Sequence, residues 1–363
     1  MSENNTKFAF AALNPFVVTN VVENIAKEIS GKDFYAWGAD NKYPDFLYDL
    51  YKNVATFQSI VNGTSDFVCG NEITLNYPMY NGKVNKNGET IEDLCRKLIW
   101  DFMIFGGFAI QVIKNINNEV SELYYIDFMK VRTDKKNEVI FFSEDWSKSY
   151  GRVKYIAYPK YKQGDSNATS IYYYKNEGSR DVYPTPVYSG AITDLVIQKK
   201  IGEFHLNEIS NNFLSSKIIN FNNGIPDDEL KNEIEQSINE KFTGSENAGR
   251  ILISFSENKD SETTVTDLST DSFADRYDAL AKRTNSQIFT AFRATPNLFG
   301  LPTETTGFNS QEYAESFKLY NRTVVKPLQK KMVDAFDKIF SMTGSITIQP
   351  YSIENNTTEQ EVE

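Results

Sequence analysis

The sequence predicts an α+β chain built from more than one packed unit. Apolar residues recur at helical spacing in several separate stretches, aromatic runs of strand character fill much of the first half, and 40% of the 363 residues are hydrophobic. That length exceeds the ~100–200 residues of one typical domain, so two or more units or an extended subunit are expected.

The chain opens with the polar Met1–Asn5 and an apolar patch over residues 8–18 that contains Asn14 and Pro15, which is not a secretory signal pattern. A helix is expected from Tyr43-Pro44 through Phe46, Leu50, Phe57 and Ile60, broken near Asn53 and followed by a turn at Gly70-Asn71. Thr90 and Asp93 can form a capping box on a helix carrying Leu94, Leu98, Phe102 and Phe105. Gly106-Gly107 ends it, and residues 108–113 turn into a strand. Residues 98–113 are the most apolar window, but they include Asp101 and Gln111 and fall short of the ~20 residues a membrane span needs.

Between residues 123 and 174 come the strand-like runs Leu123-Tyr124-Tyr125-Ile126, Val139-Ile140-Phe141-Phe142, Tyr155-Ile156-Ala157-Tyr158 and Ile171-Tyr172-Tyr173-Tyr174. Turn formers such as Lys135-Lys136-Asn137 and Gly164-Asp165-Ser166-Asn167 separate them. Tyrosines on a sheet can stack single-stranded bases. With no basic groove evident beside them, ordinary strand propensity is the simpler account.

A linker is expected at Tyr183-Pro184-Thr185-Pro186, leading to a helix over residues 191–214. Its apolar positions do not keep one face: Ile197, Ile201 and Phe204 lie on one side, Leu206, Ile209 and Phe213 on nearly the opposite one. Such a helix needs partners on two sides, within one subunit or between neighbouring copies. Residues 222–268 then carry 4 basic and 11 acidic side chains, leaving −7 of the chain's net −11. They read as a turn at Asn223-Gly224-Ile225-Pro226, an acidic helix over 227–241, a strand over 250–255 and another near 263–268. The run Asp227-Asp228-Glu229 could imitate a metal or acid-base site, but adjacent helical positions diverge, so a capped helix start accounts for it better.

From Asp271 to Arg293 the positions Phe273, Tyr277, Leu280, Thr284 and Ile288 form one stripe, stopped by Thr295-Pro296. A polar loop follows, and Asn309 with Glu312 offers a capping-box-like start to a second helix. Its stripe runs Tyr313, Phe317, Tyr320, Val324, Leu328, Met332, Ala335, Ile339, interrupted but not ended by Pro327, as in a kinked long helix. A short strand over 345–350 and a polar, acidic tail expected to be disordered close the chain.

Several chemistries have little to work with. Cys69 and Cys95 lack the spacing of a disulfide framework or metal site and read as buried thiols, and His205 is the only histidine. Neither a GxxxxGK[ST] phosphate loop nor a GxSxG or HExxH motif occurs. No catalytic residue, metal site or cofactor is expected, and the chain reads as no enzyme. A net charge of −11, from 38 basic and 49 acidic side chains, is the wrong sign for tight nucleic-acid binding.

The order Asn247-Ala248-Gly249-Arg250, Phe273 with Arg276, Phe292-x-x-x-Pro296-x-x-x-Gly300-Leu301, Ser310-x-x-Tyr313 and Tyr320-x-x-x-Val324-x-x-Pro327 resembles the compact portal proteins of tailed bacteriophages. Lys42-Tyr43-Pro44 and Gly106-Gly107-Phe108-Ala109 fall where that family has similar segments. The likeness runs from about Tyr43 onward and rests on the order of many weak motifs.

The resemblance implies a portal-like subunit. Its parts would be an α/β wing (1–190), a stem helix (191–216), a small α/β clip (217–270), a second stem helix (271–295), a tunnel loop (296–309), a kinked wing helix (310–341) and a short strand with an acidic tail (342–363). Thr303, Glu304, Thr305, Thr306, Gly307, Phe308 and Asn309 would form the tunnel loop's projecting part. Lys199, Lys200, Lys282 and Arg283 become candidates for transient DNA contact, although salt bridges would use them as readily, and Asp227, Asp228, Glu229 and Glu233 the clip's partner surface.

The implied function is a ring, dodecameric in this family, at one capsid vertex of the virion. Double-stranded DNA would pass through it; the terminase motor, the major capsid protein and a head-tail adaptor would be its partners, with no membrane involved. The short stretch after Phe340 leaves no room for a helical crown. Another head-tail connector or minor capsid protein shares the acidity and the missing catalytic motifs. A hydrolase or carbohydrate-binding protein using the aromatic strands is the remoter alternative.

Overall fold

Helical periodicity and local caps account for the first helices. The computed structural model describes residues 22–210, 217–221, 227, 229, 230, 233, 251–255, 271–300 and 310–351. Helix α1 (Tyr43–Asn53) carries Pro44 in its first turn, and Val54, extended and buried, separates it from α2 (Ala55–Cys69). That is the break expected near Asn53. In α3 (Ile91–Phe105) the Thr90 hydroxyl accepts from the Asp93 N–H at 3.1 Å while the Asp93 carboxylate accepts from the Thr90 N–H at 2.9 Å. Gly106 closes the helix at φ +79°, where a side chain would also collide with the Thr185 carbonyl.

The chain turns there into β4 (Gly107–Lys114), the centre of an antiparallel sheet with β5 (Val120–Ile126) and β9 (Thr169–Lys175). A second antiparallel sheet runs β6 (Val131–Thr133), β7 (Val139–Phe142), β8 (Ile156–Pro159). Two more pairs were hidden in the sequence: β1 (Ala26–Glu28) with β2 (Tyr35–Trp37), and β3 (Glu72–Leu75) with the expected C-terminal strand, β12 (Ile346–Gln349).

The chain divides into two units, Ile197–Arg283 and, among the described residues, 22–196 with 284–351. The larger unit has an aromatic core. Phe57 lies 4.6 Å from Tyr188 between ring centroids, Tyr188 lies 5.1 Å from Phe292, and the Tyr188 hydroxyl donates to the Ile104 carbonyl at 2.6 Å. The segment expected as a linker is core instead. Tyr183 is 1% exposed, its ring stacks on Trp37 at 4.6 Å, and its hydroxyl donates to the Tyr35 carbonyl. Arg132 is fully buried without a carboxylate. Its guanidinium donates to the carbonyls of Met129, Val131 and Asn41 and to the Asn41 side chain, and lies over the Trp146 ring. Burial pulls its pKa down to about 10.

In the smaller unit, β10 (Lys217–Phe221) pairs in parallel with β11 (Ile251–Phe255). A parallel pair needs a crossover connection, and the helical residues Glu229, Leu230 and Glu233 fall within it. Asp227 accepts from the Leu230 N–H at 2.9 Å, the capped start foreseen from the sequence. The turn at 223–226, the strand near 263–268, Asn309 of the suggested capping box and the tail at 354–363 lie outside the described residues.

Two long helices span the division: α4 (Ile192–Ser210) and α5 (Asp271–Phe292). The expected kinked helix is two pieces, α6 (Ser310–Tyr320) and α7 (Lys326–Phe340), joined by a π turn at Asn321–Val325. Pro327 explains it: the ring lacks an N–H and crowds the carbonyl four residues back, Thr323, so the helix widens by one residue just before it. The Lys326 N–H bonds the Asn321 carbonyl across that wider turn.

Candidate functional site

The residues that flank positions 301–309 are held on α2. On the incoming side Pro296–Phe299 forms a single 3-10 turn closed by Gly300 at φ +87°. Phe299 is 8% exposed, its ring within 6.4 Å of those of Phe289, Phe67 and Tyr320, and its carbonyl accepts from the Ser59 hydroxyl at 3.0 Å. Gly63 makes this seat possible: a Cβ there would stand 3.0 Å from the Phe299 ring. On the outgoing side Phe317 packs edge-on to Phe67 at 5.1 Å, and the Tyr320 hydroxyl shares a 2.6 Å hydrogen bond with the buried Thr64. Asn297 ties the two sides together by donating to the Ser316 hydroxyl at 3.1 Å. Burial pushes the Tyr320 phenol up to about 12.

Both strands of the chain that bracket 301–309 therefore end on one aromatic cluster around Phe67. The sequence pattern had singled out Gly300, Phe317 and Tyr320. It had not indicated Gly63, Thr64 and Phe67, whose part depends on a contact some 240 residues distant in sequence. Thr303, Glu304, Thr305, Thr306, Gly307, Phe308 and Asn309 themselves lie outside the described residues.

The second set of expected site residues sits on α4 and α5 within the smaller unit. Gln198 donates to the Ala281 carbonyl at 2.9 Å, and Phe204 stacks on Tyr277 at 4.5 Å, so the two helices pack antiparallel there. Lys199 and Lys200 both engage Glu203, at 3.7 and 2.6 Å. Lys282 and Arg283 are exposed on α5. One carboxylate thus already sits between two of the expected cations. An ion pair this exposed contributes about 0–1 kcal/mol. Asp227, Glu229 and Glu233 are exposed, and Asp228 lies outside the described residues.

Cys69 and Cys95 are buried, and burial pushes the Cys69 thiol up to about 12, so it is held as the unreactive thiol. Among the described residues, no group of three or more His, Cys, Asp or Glu side chains could hold a metal ion, and no helix is long and apolar enough to cross a membrane.

The hydrogen bonds around this aromatic cluster join α2 to the segments on either side of residues 301–309. The sequence model of the phage portal protein family matches residues 79–360. The chain belongs to that family, whose members are structural, non-enzymatic components of the phage particle. The fold is similar to a chain of the virion of a native gene transfer agent particle, with TM-score 0.53, 16% identity, and 85% of this chain and 83% of that one covered. It is also similar to a chain of the neck of that particle computed with C12 symmetry, with TM-score 0.51, 17% identity and coverage of 84% and 83%. A crystallised HK97-family phage portal protein from Corynebacterium diphtheriae matches with TM-score 0.50 and 10% identity over 81% of this chain and 90% of that one. No curated protein matches the chain.

Proposed function

We propose that copies of this chain close into a ring at one capsid vertex and that double-stranded DNA is packaged and ejected through its centre. The observation that carries this reading is the portal-family match over residues 79–360. A head-to-tail contact whose rotation closes generates a ring, and the C12 symmetry of the similar neck makes twelve copies the expected number.

In this reading α4 and α5 are the stem, residues 217–270 the clip, and 301–309 a loop projecting into the channel from the Phe67 seat. The clip's exposed carboxylates meet the terminase motor during packaging and the head-tail adaptor afterwards, while the wing meets the major capsid protein. The acidic balance suits a conduit. Each phosphate neutralised by Lys or Arg adds salt-dependent affinity, which would hold the polymer instead of letting it slide. Glu203, competing for Lys199 and Lys200, keeps such contacts short-lived.

Native mass spectrometry with negative-stain imaging of the full chain tests the ring. A closed particle of about a dozen 41.5 kDa copies with a central hole is expected; a compact dimer that never closes would count decisively against it. Deleting Thr303–Gly307 should then leave the number of copies in the ring unchanged and abolish DNA packaging.

A further inference from the structure

A concave cleft of about 540 Å³ in the larger unit gathers cations from four separate segments: Lys135 and Lys136 from the β6–β7 turn, Lys160 just after β8, Lys175 at the end of β9, and Arg180 from the following loop. Lys135, Lys136 and Arg180 are exposed; Lys160 and Lys175 are half-buried. The sequence reading found no basic groove beside the tyrosine strands, yet the fold assembles one there.

Two carboxylates are close by, Asp181 in the cleft wall and Asp134 near Lys160, and each is hydrogen-bonded to backbone N–H groups. Asp181 accepts from the backbone N–H groups of Ala26 and Val182, at 3.0 and 2.7 Å. Asp134 accepts from those of Lys136, Glu138 and Val139, which fixes the turn carrying the two lysines. Glu138 reaches Lys162 instead, at 3.9 Å. Among the described residues none of the five cations is in an ion pair. Lys175 donates to the Asp181 carbonyl, and Lys160 stands over the Tyr173 ring at 5.8 Å. Crowding among like charges adds to burial in pulling the Lys160 pKa down. In a chain of net charge −11, five cations against one carboxylate, Asp181, around one concavity leave a positive balance that would draw an external anion.

We propose that this cleft binds the phosphodiester backbone of double-stranded DNA without regard to sequence, as a contact separate from the loop and stem residues assigned to the channel. The proposal rests on the portal reading, which brings every copy close to DNA. Charge density favours phosphate over an acidic peptide. Duplex DNA carries one negative charge per ~1.7 Å, whereas even an all-acidic extended chain carries only one per ~3.3 Å. Lysine-rich, multi-segment contact of this kind positions a backbone rather than reading bases.

The test uses relaxed closed-circular DNA, which cannot thread a preformed ring, with the full chain, a K135E/K160E/R180E variant, and a K83E/K326E/K330E control that shifts net charge equally at exposed sites elsewhere. Wild type and control should bind with a steep salt dependence. In the cleft variant the slope of log K against log salt should fall by about three and affinity at low salt by at least about tenfold. Equal binding by all three, or equal loss in both variants, overturns the proposal. So does polyglutamate that competes as well as DNA at equal charge. Displacement by inorganic phosphate at equal phosphate concentration would assign the site to a small free phosphate and overturn the DNA assignment. Ring mass is read on the same samples. Intact rings with unaltered binding sink the cleft alone, while cleft-dependent binding by a chain that never closes sinks the ring alone.

Discussion

The two units of this chain are held by different means. The larger one buries interlocked aromatic rings and a guanidinium that donates to backbone carbonyls. The smaller one shows, among its described residues, a two-stranded parallel pair and a helix pair joined by Phe204, Tyr277 and Gln198, with Leu206 64% exposed. Two strands alone are marginal in water. Among the described residues the interlocked rings lie in the larger unit, and substitutions in the two units should separate cleanly.

The largest effect is expected from Arg132→Ala, which strands several buried carbonyls beneath Trp146. Urea unfolding should show a loss of about 3–5 kcal/mol, and a loss below about 1 kcal/mol would mean that water replaces the guanidinium at little cost. Phe299→Ala should follow at about 3 kcal/mol by emptying the seat on α2. Gly63→Ala should cost about 1–2 kcal/mol from the opposite direction, by crowding the same ring.

Acidity sharpens the comparison further. Asp101 is fully buried, accepting from the Tyr125 hydroxyl at 3.2 Å and the Phe128 N–H at 3.3 Å, and burial, then the nearby Asp127, holds its carboxyl well above the usual range. A carboxyl raised on folding contributes stability that is complete below its unfolded pKa of about 4 and is lost as pH rises through the folded value. Asp101→Asn does not titrate; its one oxygen can accept from the Phe128 N–H while its NH2 donates to the Tyr125 hydroxyl oxygen, reversing that bond. Its urea midpoint should therefore gain on wild type steadily from about pH 4 upward, and parallel curves would show that the carboxyl ionises unhindered. The smallest effect belongs to Phe204→Ala, about 1 kcal/mol. Amide exchange should quicken in the adjoining parts of α4 and α5 while α3 stays protected.

Much of the fold was legible because it is written locally. The Thr90–Asp93 box, the break at Asn53, Gly106 and the β7 run each depend on neighbours a few residues away. Four short strands, β1, β2, β3 and β10, were not legible, because pairing is non-local: β3 finds β12 at the far end of the described chain, and β10 meets a parallel partner only after a crossover. Tyr183 read as linker because the prolines beside it signal a turn, while its burial depends on Trp37. The sites divide in the same way. Gly300, Phe317 and Tyr320 stand out in the sequence, whereas the basic cleft draws one or two side chains from each of four segments in an acidic chain, so no window of sequence contains it.

The π turn before Pro327 also sets an angle. A helix advances by about 100° per residue, so the one extra residue accommodated between Asn321 and Val325 fixes the rotational phase of α6 relative to α7. Were that turn to tighten to ordinary α geometry, Phe317 and Tyr320 would swing away from Phe67 and Thr64 together. The proline thus acts as an indexing pin: by forbidding the narrower turn, it makes one facing of the segment after residue 309 compatible with a filled seat.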